Sequence, residues 1–176
     1  IQNGSNVDIF FSVGSFGKDN QLSGAFNTFL AKANSDDPDY KQVQSLVSAL
    51  SGSITYTTGN DHRLFQITGA LVDKKAACEG YAKALKAACD ELSIPCVLIT
   101  GTMADGRGNW ENHMWNYVQI GSEWYIVDAT NDKGTGDLIL FGTEDALPVL
   151  GNKTYEEVYL TISAFTLPDA AAERYD

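Results

Sequence analysis

A mixed helix-and-sheet fold is what this sequence predicts, and three observations carry that expectation. From Ala77 to Leu92 good helix formers run unbroken, and Cys78, Ala82, Leu85, Cys89 and Leu92 recur at steps of four and three, so that one face is apolar. Pro95 stops that helix, and Cys96-Val97-Leu98-Ile99-Thr100 follows as the continuous apolar run expected of a buried strand. Finally, His113 to Ile120 and Glu123 to Asp128 flank Gly121-Ser122, a two-residue connection that closes an antiparallel hairpin.

The remaining elements follow in chain order. Val7 to Val13 is rich in strand formers, and Phe26, Phe29, Leu30 and Ala33 fall at helical spacing behind Ser23 as cap. Asp37-Pro38 reads as a cap and a first-turn proline, opening a helix to about Ser51 whose stripe is Val43, Leu46, Val47 and Leu50. Ile54 to Thr58 predicts a short strand, Gly59-Asn60-Asp61 a turn, and the polar stretch Gly101 to Glu111 a loop. Leu138 to Phe141 and Val158 to Phe165 are candidates for two further strands.

With 176 residues, 44% of them hydrophobic, one domain spanning residues 1–176 is the expectation. A formal net charge of −11, with no basic run, argues against nucleic-acid and anionic-membrane partners. No stretch has the roughly 18 apolar residues of a membrane span, so no membrane insertion is expected. Three cysteines are too few, and odd in number, for a disulfide framework. Cys89 and Cys96 read as buried and inert, with a mutual disulfide as the alternative. There is no C-x-x-C and no H-x-x-x-H spacing, so no metal site is expected, and nothing in the sequence calls for a cofactor.

The chemistry rests on few residues. His62 and His113 are the only imidazoles. Cys78 opens its helix, where unpaired backbone N–H groups and the helix dipole favour a thiolate, although a cysteine there could equally start a core stripe. Cys89, eleven residues on, lies about 16 Å from Cys78 along the helix and cannot share a reaction with it. The two-residue turn pairs Ile120 with Glu123, so Trp115 faces Asp128 and His113 faces Thr130. His113, Trp115, Tyr117, Ile126 and Asp128 then share one face, with His113 and Asp128 diagonal neighbours about 7 to 8 Å apart at the backbone. Packing the apolar side of the Cys78 helix on that face brings thiol, imidazole and carboxylate together, with Asn131 and Asp132 competing with Asp128 for the acid's place. Such a set lets an imidazole take the thiol proton and a carboxylate orient the ring. His62, in a polar turn, is expected to be solvated.

Cys78-Glu79-Gly80-Tyr81-Ala82, Leu92-Ser93-Ile94-Pro95-Cys96, His113-Met114-Trp115-Asn116-Tyr117-Val118 and Trp124-Tyr125-Ile126-Val127-Asp128-Ala129-Thr130 together resemble the bacterial branch of the transglutaminase-like superfamily, over roughly residues 69–132. The resemblance implies a papain-like α+β fold with the nucleophile helix packed on an antiparallel sheet. It also implies Cys78 as nucleophile, His113 as base and Asp128 as orienting acid. The sequence departs from the family pattern at Lys75-Ala76-Ala77, where a glycine two residues before the cysteine is common, and at Asn131, where tryptophan is frequent. Trp115 could shield the His113–Asp128 contact or simply fill the core, Gly80 could permit close packing, and Tyr81 falls at the expected cleft. For the oxyanion, the Cys78 backbone N–H is the first donor, and Gln66, ranked ahead of Thr68 and Tyr56, is the second.

These readings lead to an expected thiol-dependent acyl transfer or hydrolysis at a peptide or carboxamide carbonyl, with hydrolysis favoured. A protein-crosslinking transglutaminase and a non-catalytic peptide-binding module are the alternatives. The expected partner is a peptide or protein substrate, in a chain that belongs to a larger multidomain protein. The acidic composition, the start at Ile1 and the resemblance together point to a secreted or cell-surface bacterial setting.

Overall fold

The structure, a computed structural model, describes residues 20–104, 109–132, 139–143, 155–157 and 167–176. Helix α1 (Asn20–Leu30) begins ahead of Ser23, so that serine lies inside the helix rather than at its cap, and Phe26 and Phe29 face inward. Helix α2 (Asp39–Ser53) starts one residue later than expected, because Pro38 takes an extended ψ of 154° and serves as the N-cap. The Pro38 carbonyl accepts from the N–H groups of Lys41 and Gln42. Its stripe of Val43, Leu46, Val47 and Leu50 is wholly inaccessible. Each such side chain contributes on the order of 1.5–3 kcal/mol relative to an exposed one.

The segment between α2 and the Cys78 helix is shorter in strand and richer in turns than expected. Strand β1 is only Thr55–Tyr56 and pairs in parallel with β2 (Lys75–Ala76), which the sequence did not suggest. Between them lie a 3-10 turn, His62–Phe65, and one π-helical turn, Gly69–Asp73. A Cβ on Gly69 would come 2.0 Å from the Arg63 carbonyl oxygen, so only glycine lets these two turns touch. Arg63 also grips Asp73 with two nitrogens, and that guanidinium, by its hydrogen bond, holds the Asp73 carboxyl below its ordinary range.

Helix α3 (Cys78–Glu91) leads into a four-stranded sheet in the order β5-β4-β3-β6, with β3 Cys96–Ala104, β4 Trp110–Ile120, β5 Glu123–Val127 and β6 Tyr155–Glu157. All its pairings are antiparallel. The register of the β4–β5 hairpin is the expected one, Ile120 opposite Glu123 and Asn116 opposite Val127, across a turn in which Gly121 adopts φ 64°. The stretch 101–111 is a correction. Rather than forming a loop throughout, it extends β3 to Ala104 and opens β4 at Trp110, so that Gly101 pairs with His113 and Met103 with Glu111. A glycine and polar residues favour a loop locally, but ladder pairing overrides them. Strand β6, which hydrogen-bonds to β3, was not foreseen. Val7 to Val13 and Val158 to Phe165 lie outside the described residues, while Phe141 forms an isolated bridge with Ile126.

The two faces of the sheet feed two apolar clusters. Cys96, Val118, Ile120, Tyr125 and Val127 pack with the three helices, and Ile99, Trp115, Tyr117 and Ile126 pack with Phe141. Among the described residues no helix is long and apolar enough to cross a membrane.

Candidate active site

Cys78 is the first residue of α3. Ala77 before it is extended and offers no side-chain cap, so the first N–H groups of the helix, that of Cys78 among them, take no cap from it. Two contacts fix that end. The Ala77 N–H donates to the Leu64 carbonyl at 2.9 Å, and Gly80 packs so closely that a Cβ there would lie 2.8 Å from both Leu64 O and the Ala76 methyl. Close packing is thus what Gly80 permits. Glu79 pairs with Lys83, which also donates to the Phe65 carbonyl, tying the same turn to the 3-10 segment.

His113 and Asp128 meet as the hairpin register requires. His113 Nε2 lies 2.9 Å from Asp128 Oδ2, and both residues are buried, Asp128 completely. The Cys78 thiol stands close enough to the same imidazole to raise it. With Nε2 turned to the carboxylate, Nδ1 is the ring atom left for sulfur. Burial works against the charged imidazole, but the hydrogen bonds to Asp128 and Cys78 and their negative charges outweigh it and raise His113 to about 9.

Asp128 is held as an anion would be. Its Oδ1 accepts the N–H groups of Thr130 and Asn131 in an Asx turn, and its Oδ2 accepts the Asn131 side-chain amide at 2.8 Å. Asn131 is therefore a partner of the acid rather than its competitor, and its amide also lies 3.4 Å from His113 Nε2. The sequence carried a signal for this, since an asparagine three residues after an aspartate in a turn can reach back to it. Asp132 is buried and returns its backbone N–H to the Asp128 carbonyl.

The route by which the three groups assemble differs from expectation. Helix α3 packs on the opposite face of the sheet, where the Asn116 amide donates to the Ala82 carbonyl and Val118 joins the helices' core. The face bearing His113, Trp115 and Tyr117 belongs to the other cluster or to the site. Cys78 reaches the imidazole because it projects from the end of the helix and not from its flank.

The other expected site residues divide. Trp115 is buried and stacks on His113, ring centroids 5.8 Å apart, so it both fills the core and covers the imidazole. Gln66 has an exposed side chain, and its carbonyl oxygen would lie 3.2 Å from a Cβ on Gly80, which puts its backbone beside the first turn of α3. Tyr81 turns away from any cleft. It is 3% exposed and its hydroxyl donates to the Ile54 carbonyl, because position 81 of the helix faces α2 and β1. Tyr56, ranked behind Gln66 from sequence, stands half exposed opposite Ala76, two residues before Cys78. Cys89 and Cys96 are buried free thiols in mutual contact, and burial pushes Cys96 well up. His62 is exposed at the start of the 3-10 turn.

The model of the transglutaminase-like superfamily matches residues 28–129. Kyphoscoliosis peptidase of Mus musculus is 28% identical over 117 residues, which cover 62% of this chain and 16% of that protein. Among solved structures, a TGase superposes with a TM-score of 0.56 at 16% identity, over 69% of this chain and 35% of its own. The arylamine N-acetyltransferase NAT3 of Bacillus cereus, described as having a Cys-His-Glu catalytic triad, gives 0.51 at 16% identity over 88% and 71%. The chain thus spans about a sixth of the mouse peptidase.

Proposed function

Because this chain belongs to the transglutaminase-like superfamily, whose members are generally cysteine-dependent enzymes, we propose that it catalyses acyl transfer from a peptide or carboxamide carbonyl through Cys78, His113 and Asp128, with water as the favoured acceptor. One observation carries the reading. The thiol that opens α3 adjoins an imidazole that is itself held 2.9 Å from a buried carboxylate.

The chemistry follows from those atoms. His113 holds the proton lost by Cys78, and the sulfur attacks the carbonyl carbon, forming a C–S bond and an oxyanion. The Cys78 backbone N–H at the helix end stabilises that oxyanion. His113 then gives its proton to the leaving nitrogen as the C–N bond breaks, and a thioester remains. Water attacks next, His113 takes its proton, and the acid is released with the thiolate restored. Asp128 keeps the ring oriented and offsets its charge throughout. An amine in place of water would give a crosslink by the same steps.

The test is to incubate the protein with casein, with and without dansylcadaverine. New N-termini, released ammonia and incorporated dansyl label are read for the natural chain and for Cys78→Ala. Any of the three, lost in the variant, supports the reading and names the acceptor. Absence of all three, with Cys78 no more reactive than a simple thiol, leaves a peptide-binding module in its place.

A further inference from the structure

Beside the three reacting groups stands a carboxylate with no assigned task. Glu111 lies two residues before His113 on β4, so both side chains leave the same face of the strand, about 7 Å apart along it. Its side chain is exposed and makes no ion pair or hydrogen bond among the described residues. Tyr56, 50% exposed, pairs with Ala76, two residues before Cys78.

We propose that Glu111 and the ring of Tyr56 form a subsite for a cationic group, the ammonium or guanidinium of a lysine or arginine side chain, next to Cys78. The inference rests on the acyl-transfer reading for its biological meaning, and on the placement of these two residues for its physics. A carboxylate attracts such a group, and an aromatic face at the same mouth adds cation–π attraction. Once the cost of its partial burial is counted, the charges that weigh on the Tyr56 hydroxyl are those of Cys78, Glu111 and Asp128, all acidic, and they raise it above its ordinary value. Lys83 is engaged by Glu79 and the Phe65 carbonyl. A net charge of −11 draws cations towards the whole surface, and Glu111 makes that attraction local to the thiol.

The experiment uses two methanethiosulfonate reagents of similar size, one carrying a trimethylammonium group and one a sulfonate. Each adds to Cys78 with loss of methanesulfinate and needs no turnover. The ratio of cationic to anionic rates at Cys78, read by peptide mass mapping, is expected to be well above that of free cysteine. It should fall about fivefold in Glu111→Gln, further in Glu111→Lys and partway in Tyr56→Leu. Asp36→Asn, which removes one charge elsewhere, should leave it unchanged. A ratio in Glu111→Gln within twofold of the natural chain, or an equal fall in Asp36→Asn, overturns the subsite.

Peptides with lysine or glutamate beside the reacting carbonyl, assayed for hydrolysis, and cadaverine, assayed as acceptor, distinguish a substrate side chain from an incoming amine. Charge selectivity that depends on Glu111 without any turnover would uphold the subsite and count against the acyl-transfer reading.

Discussion

Asn131 and His113 share one oxygen: the Asn131 amide donates to Asp128 Oδ2 at 2.8 Å, and His113 Nε2 meets the same atom at 2.9 Å. The asparagine thus sets where the carboxylate points and, through it, where the imidazole points. Asn131→Leu keeps the bulk and removes the donor. A hydrogen bond to a charged group is worth about 1.5–3 kcal/mol, so kcat is expected to fall roughly tenfold to a hundredfold. Melting temperature should fall by several degrees as well, and Asn131→Gln should recover part of both losses. Unchanged kinetics in the leucine variant would remove Asn131 from the site.

The raised His113 gives a pH signature in stability. The folded protein holds this proton up to about 9, whereas the unfolded chain releases it near 6.5. Protonation therefore stabilises the fold fully below 6.5, and the contribution is lost as pH rises through about 9. The difference in unfolding free energy between the natural chain and His113→Asn is expected to be largest at pH 6 and to shrink by pH 9.5, as denaturant titrations can read. A difference independent of pH would mean that the imidazole is not held charged.

What the sequence made legible, and what it did not, follows the range of the forces involved. The hairpin register was readable because a two-residue turn fixes every pair after it, and this alone predicted that His113 and Asp128 meet. The α2 stripe was readable because each of its residues is buried by periodicity. The face on which α3 packs was not, since both faces of β4 carry large apolar side chains, Trp115 and Tyr117 on one and Val118 and Ile120 on the other. The β1–β2 pair and β6 are two or three residues long and are fixed by partners distant in sequence, so no local pattern marks them. Tyr81 belongs to the Cys78 motif, which places it at the cleft, but three positions along a helix a side chain can turn into the core.

Gly80 tests how the cysteine is positioned. An alanine Cβ would sit 2.8 Å from the Leu64 carbonyl and from the Ala76 methyl, and neither can swing away. Gly80→Ala is expected to cost about 1–3 kcal/mol in denaturant unfolding and to lower the reactivity of Cys78 by moving the helix end. A variant of natural stability and reactivity would show that the turn yields freely.

Tyr81→Phe separates packing from chemistry. It leaves the Ile54 carbonyl without its 2.8 Å donor in a buried place, at a cost of about 1–3 kcal/mol, while the reacting groups stay put. Stability should drop with kcat and KM unchanged. A change in KM without loss of stability would return Tyr81 to the cleft.

The central claim is that His113 activates Cys78, and the rate of iodoacetamide alkylation of Cys78 across pH tests it most directly. The natural chain should be modified far faster than His113→Ala at pH 6. The gap should close above about pH 9, where the imidazole loses its proton, and Cys89 and Cys96 should stay unlabelled in the folded protein. If the two proteins are instead alkylated equally at pH 6, with rates that rise together as for a simple thiol, Cys78 is not paired with His113 and the account fails.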